Sequence, residues 1–198
     1  MRLFDAVSAL KPQKHKKTTV SRMTTIWSQQ IDPGSVLPEY PRPQFRRENW
    51  ICLNGPWDYT FTKKSKRPER PDGQILVPFS PECLRSGVSR QLRPGEYLWY
   101  FRFVYLNAVP ENQRLLLHFG AVDQRCSVWW NGHLLGKNEN GYLSFSFDVT
   151  DYLQEGNNTL WVRVQDDSDS GSQSRGKQSF KPHGMFYTAQ SGIWQTVW

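Results

Sequence analysis

A chain of 198 residues with 14% aromatic side chains, nine of them Trp, holds too much apolar ring for a disordered polymer and is long enough for one domain with a substantial core. No run approaches 18 uncharged apolar residues, which excludes a membrane-spanning helix. The net charge of +7 does not mark a nucleic-acid surface: residues 1–22 carry +5 and residues 63–70 carry +4, leaving −2 for the rest.

Residues 1–22 read as a separable basic extension, in which Leu3, Val7 and Leu10 can form a short amphipathic helix ahead of a polar, Lys-rich run. A targeting peptide and a start upstream of a true initiator at Met23 both account for it. The folded domain is expected over 23–198. Its first stretch carries Pro33, Pro38, Pro41 and Pro43, so extended strapping is expected there.

Strand signals then follow in series. The turn Asn54-Gly55-Pro56 leads into 57–61, where aromatic and polar residues alternate. A short apolar strand is expected at 74–78, after the Pro- and Lys-rich loop 62–73. The run 98–106 (LWYFRFVYL) is dense in rings and predicts a strand buried in part on both faces. Strands are also expected at 114–119 and 125–130. Asn131-Gly132 between apolar runs predicts a type I′ turn joining 125–130 to 133–136. Strict alternation predicts strands at 142–149 and 158–165, with one helical turn at 150–153 that Asp148 can cap. A polar loop, 166–183, precedes a last strand at 193–198. Short strands at regular spacing with almost no helix predict an all-β fold, a jelly-roll β-sandwich.

Cys52, Cys83 and Cys126 are odd in number and widely spaced, and the four His are scattered, so neither set has metal-ligand spacing. Unpaired thiols of this kind fit a reducing compartment, and a cytoplasmic location is expected. Asp167-Ser168-Asp169-Ser170-Gly171 has the opening of a calcium loop, but Gln178 stands where a bidentate Glu is needed. No metal and no cofactor are expected. The single N-x-T sequon, at Asn157, follows Gly156 and is explained by turn chemistry.

An ordered set of segments resembles one known family. Trp50-Ile51-Cys52-Leu53-Asn54-Gly55-Pro56-Trp57 is similar to the opening motif of the sugar-binding domain of family 2 glycoside hydrolases, which include β-galactosidases, β-glucuronidases and β-mannosidases. Val77-Pro78-Phe79 and Leu98-Trp99-Tyr100-Phe101-Arg102 resemble the family's next strands. The series continues through 117–123, Val128-Trp129-Trp130-Asn131-Gly132, 145–150, 156–160 and Ser191-Gly192-Ile193-Trp194-Gln195. Arg175-Gly176-Lys177-Gln178 looks most like β-galactosidase-type members. The resemblance covers 23–198 and implies a galactose-binding-domain-like sandwich.

It also implies that chemistry lies elsewhere. Glycoside hydrolysis needs two carboxylates flanking the scissile bond. In the family these are glutamates on a TIM barrel that follows this domain and an immunoglobulin-like one. The eight glutamates here fall in expected loops and turns, so no catalytic residue is expected. The resemblance further implies that loop 166–183 reaches the mouth of that barrel and helps hold a β-glycoside. Asp169 matches the family's sugar-binding aspartate, with Asp166 and Asp167 beside it and Arg175, Lys177 and Gln178 as further candidates. Carboxylates and guanidinium groups suit vicinal hydroxyls, and Trp99 or Tyr187 can stack on a pyranose. The other reading is a stand-alone carbohydrate-binding module, because one architecture serves both roles.

Overall fold

The computed structural model describes residues 25–108 and 111–198. The basic extension expected over 1–22 lies outside the described residues. Period-2 alternation produces a two-layer structure. The larger layer is a six-stranded antiparallel sheet built from β1 (Gly55–Thr62), β2 (Gly73–Val77) and β3 (Tyr97–Leu106), with β6 (Arg125–Trp130), β7 (His133–Asn138) and β9 (Gly156–Gln165). Their order is β2-β1-β3-β9-β6-β7. At its centre β3 pairs with β9 from Leu98↔Val164 to Leu106↔Gly156.

The smaller layer is assembled from short pieces. β4 (Leu116–Phe119) pairs with β8 (Phe145–Asp148), and β5 (Val122–Asp123) pairs with β12 (Gly192–Ile193). The C-terminal residues run along the other edge of β4: the His118 N–H donates to the Trp198 carbonyl at 2.7 Å and the Gly120 N–H to Thr196 at 2.8 Å. Between the layers lies one apolar core. Ile75, Val77, Leu98, Tyr100, Val128, Leu160, Val162 and Val164 enter it from the large sheet, and Phe119, Val122, Val149, Ile193 and Val197 from the small one. All thirteen of these residues are fully buried, and the sandwich expected from the alternation is present.

The β6–β7 hairpin turns on Asn131 (φ 48°) and Gly132 (φ 85°), with Trp130 facing His133, as a type I′ turn requires. Other boundaries moved. The strand expected at 142–149 begins only at Phe145, because the Asn140 side-chain oxygen accepts the N–H groups of Tyr142 (2.8 Å) and Leu143 (3.0 Å) and holds them in a turn. The last strand, expected at 193–198, is interrupted: β12 ends at Ile193, the Trp194 indole turns to the Gly141 carbonyl at 2.8 Å, and pairing resumes beside β4. Loop 166–183 is not wholly irregular, since β10 (Gln178–Ser179) pairs in parallel with β11 (Tyr187–Thr188).

Asn158, fully buried, organises the end of the sheet near the hairpin. Its Oδ1 accepts from Asn131 Nδ2 (2.8 Å), the Gln154 N–H (3.0 Å) and Trp130 Nε1 (3.3 Å), while its Nδ2 donates to the Gln154 carbonyl (2.7 Å). Asn158→Ala strands three donors at once and is expected to cost about 3 kcal/mol, read as a lower urea midpoint with unchanged slope. A loss below about 1 kcal/mol would show that these donors find other acceptors.

Candidate functional site

Loop 166–183 leaves the end of β9, the central strand, and folds back on itself through side-chain hydrogen bonds. Asp166 is 3% exposed, and its carboxylate accepts both the N–H (2.7 Å) and the hydroxyl (3.1 Å) of Ser168. This clasp holds Ser168 in a left-handed conformation, φ 44°. Asp167 points outward and pairs with Arg125 at 2.6 Å. Asp169 reaches across the loop, where its Oδ2 accepts the Ser179 hydroxyl and the Phe180 N–H, each at 3.0 Å. The Phe180 N–H is the main reason its pKa lies below the usual carboxylate value, so Asp169 is an anion at neutral pH. Arg175 braces the same turn by donating to the carbonyls of Asp169 (3.0 Å) and Gly171 (3.2 Å).

The six residues singled out from the sequence therefore divide. Asp169 and Arg175 come together. Asp167 sits on the loop's outer side with Arg125, Lys177 is exposed, and its backbone pairs with Tyr187. Gln178 and Asp166 are buried, facing a residue the sequence did not single out, Asp123. Gln178 Nε2 donates to Asp123 Oδ2 at 3.2 Å, while its Oε1 accepts the Gln190 N–H at 2.5 Å. Tyr187 lies beside the loop, its hydroxyl accepting from the Lys177 N–H at 3.4 Å. Trp99 does not: it lies on the outer face of β3, stacked on Trp129 at 5.3 Å.

Asp123 is the buried centre of this cluster. Only 5% of it is exposed, and burial, with the neighbouring Asp166 charge, pushes its pKa up to about 7 against the pull of Gln178. Burial likewise raises Asp166. Asp123 closes the 117–123 segment that carries the family resemblance, and in the structure it packs against Gly141, where a Cβ would collide with its carboxylate. Glu82 was also missed. Fully buried and pushed to about 7 by burial, it accepts the N–H (3.0 Å) and hydroxyl (2.6 Å) of Ser191 and the Leu92 N–H (3.2 Å), which ties the loop after β2 to the C-terminal segment. Among the described residues no group of three His, Cys, Asp or Glu is arranged to hold a metal ion.

The model of the galactose-binding-like domain of glycosyl hydrolase family 2 matches residues 90–194. The chain belongs to this family. A β-galactosidase large subunit from Latilactobacillus sakei is 29% identical over 137 residues, covering 69% of this chain and 20% of that protein. A β-galactosidase from Bacteroides ovatus is 28% identical over 158 residues, covering 79% of this chain and 15% of that protein. Among solved structures, a β-glucuronidase from Ruminococcus gnavus aligns with a TM-score of 0.58 at 20% identity, over 77% of this chain and 29% of that one. A second, from Faecalibacterium prausnitzii, gives 0.56 at 23% identity over 77% and 32%. These structural likenesses establish the shared fold. The chain spans a fifth or less of the length of the curated family 2 relatives it matches.

The Asp123 environment makes stability depend on pH. An unfolded aspartate ionises near 3.8, whereas the folded one keeps its proton until about 7, so the stabilisation is complete below the lower value and is lost as pH rises through the upper. Glu82 acts in the same direction. Asp123→Asn should flatten part of the fall in urea midpoint between pH 4 and about 7 that the native chain shows. Equal slopes in the two proteins would place the Asp123 carboxyl in contact with water.

Proposed function

We propose that this chain is the non-catalytic, sugar-facing scaffold of a larger β-glycosidase, most like a β-galactosidase, in which loop 166–183 forms one wall of the sugar site. The observation that carries this reading is the family 2 match on a domain that makes up a fifth or less of its relatives, together with a self-braced loop that presents an ionised Asp169 beside Arg175. Fixed by Ser179 and Phe180, the Asp169 carboxylate is pre-organised to accept hydroxyl protons without a loop-ordering cost. Lys177 stands exposed on the same loop. Asp166, Asp123 and Gln178 lie beneath, and support the wall.

The bond-breaking step needs an acid and a second carboxylate on opposite sides of the glycosidic bond. Glu82, the buried glutamate with a raised pKa, already accepts three protein hydrogen bonds and is walled off from solvent, so it serves structure. In this reading the hydrolytic pair belongs to a barrel domain of the parent protein, and an immunoglobulin-like domain stands between. No described helix is long and apolar enough to cross a membrane, and three free thiols suit a reducing, cytoplasmic setting.

The purified chain is expected to leave nitrophenyl β-galactoside and β-glucuronide uncleaved and to bind galactose no tighter than millimolar. Joined to the rest of its parent, Asp169→Asn should raise KM for the galactoside about tenfold, the loss of one charge-assisted hydrogen bond, with kcat changed less. Turnover by the chain alone would overturn the proposal, and micromolar galactose binding would make it a stand-alone binding module instead.

A further inference from the structure

The outer face of a sheet that packs a core on one side is ordinarily polar. Here it carries a band of rings. Across the sheet, direct cross-strand partners place Asp58, Phe101, Trp161 and Trp129 in one row on β1, β3, β9 and β6. The next row holds Thr60, Trp99, Arg163 and Ser127. All eight alternate with core residues and so face away from the interior. Phe101 and Trp161 lie 4.5 Å apart, tilted by 37°, and Phe103 continues the band, edge-on to Phe101 at 4.8 Å.

The basic loop between β1 and β2 arches over one end of this band. It is tied down at two points, where the Thr60 hydroxyl donates to the Arg70 carbonyl (3.0 Å) and Arg163 to the Ser65 carbonyl (3.2 Å). Beneath it remains a cavity of about 150 Å³ with Asp58 at one wall and Trp99, Phe101 and Trp161 at another. The Trp99 indole N–H is itself buried, with no acceptor among the described residues. The cavity continues, through Phe101 and Trp161, into an open groove of about 940 Å³ whose rim carries Lys66 and Arg67. Arg67 is exposed, and its guanidinium lies over the Trp161 ring at 5.2 Å.

We propose that this face is a second, non-catalytic carbohydrate site, which takes an oligosaccharide bearing an acidic group. One pyranose ring lies against Trp161 and Phe101 with its hydroxyls toward Asp58. The carboxylate of an adjoining sugar pairs with Lys66 and with Arg67, which swings off the Trp161 ring. The chemistry of the wall selects this occupant. A purely apolar partner would shut the Asp58 carboxylate, which among the described residues Gln74 alone partners, away from water, whereas a sugar offers apolar C–H faces and hydroxyls on the same ring. Around the groove Lys66 and Arg67 outnumber Glu69, and this excess of positive charge favours an anion over a neutral sugar. The site lies on the outer face of the sheet, away from loop 166–183, and does not rest on the role given to that loop.

The test is calorimetric titration of the whole chain, with Trp fluorescence read in parallel, using tetragalacturonate, neutral cellotetraose and a ten-residue oligothymidylate. Tetragalacturonate is expected to bind with a Kd of about 0.1–1 mM and to perturb Trp emission, with the neutral tetrasaccharide about tenfold weaker or more. Lys66→Ala with Arg67→Ala, both exposed, should cost the acidic ligand about tenfold and leave the neutral one unchanged. Trp161→Ala should remove binding of both sugars. Phe103→Ala, at an exposed ring, provides the same readout should Trp161→Ala lower the melting temperature. Asp169→Asn should change nothing here, which separates this site from the loop. No binding of tetragalacturonate at 10 mM, equal affinity for the two sugars, indifference to these variants, or tighter binding of the oligothymidylate would each overturn the proposal.

Discussion

The pairing of β3 with β9 is the constraint on which the rest of the structure depends. Nine consecutive cross-strand partners lock their register, and a slip of one residue would turn every side chain to the opposite face. In the observed register Leu98, Tyr100, Val104, Leu106, Leu160, Val162 and Val164 enter the core. The same register sends Trp99, Phe101, Phe103 and Trp161 outward. It also delivers the chain at Gln165 to the edge of the small layer, where the loop that follows meets Asp123.

Two kinds of polar interior result. At the hairpin end, Asn158 satisfies neighbouring backbone and side-chain groups with a neutral amide, a stable solution at any ordinary pH. At the loop end, carboxyl groups do the same work. Glu82 holds Ser191 and Leu92, and Asp166 holds Ser168, while Asp123 faces Gln178 beneath Gly141. Burying acids raises their pKa, so this end is held partly by proton-bearing groups, and its stability is tied to pH where the other end's is not. The function proposed for loop 166–183 needs its exposed groups fixed, and the buried Ser179 supplies one of the bonds that hold Asp169.

Loop 166–183 shows how local and long-range effects share the task. The Ser168 clasp and the Arg175 brace are formed by residues close in sequence, and such contacts can be read from spacing. The contacts of Asp169 with Ser179 and Phe180 and of Gln178 with Asp123 span 10 to 55 residues and depend on how β10 and β5 are brought together. Asp169 and Arg175 entered as separate candidates through the family resemblance, whereas the burial of Gln178 and Asp166 was not legible in the sequence.

The sequence by itself determined the all-β class, the alternating strands β1, β3, β6 and β9, and the type I′ turn at Asn131-Gly132. Each rests on interactions within a few residues: side-chain period, β propensity and the left-handed backbone that Asn and Gly tolerate. Tertiary structure alone decided where pairing stops and which polar groups are buried. Asn140 stops the approach to β8, Trp194 leaves its strand to meet Gly141, and Asp123 has its pKa raised first by burial and then by the charge of Asp166, 43 positions away. It also decided that Trp99, an apparent stacking residue for the loop, belongs to a ring-lined face on the outside of the sheet. Desolvation and cross-strand contact are set by which segments meet in space, and no local pattern in the chain encodes that meeting.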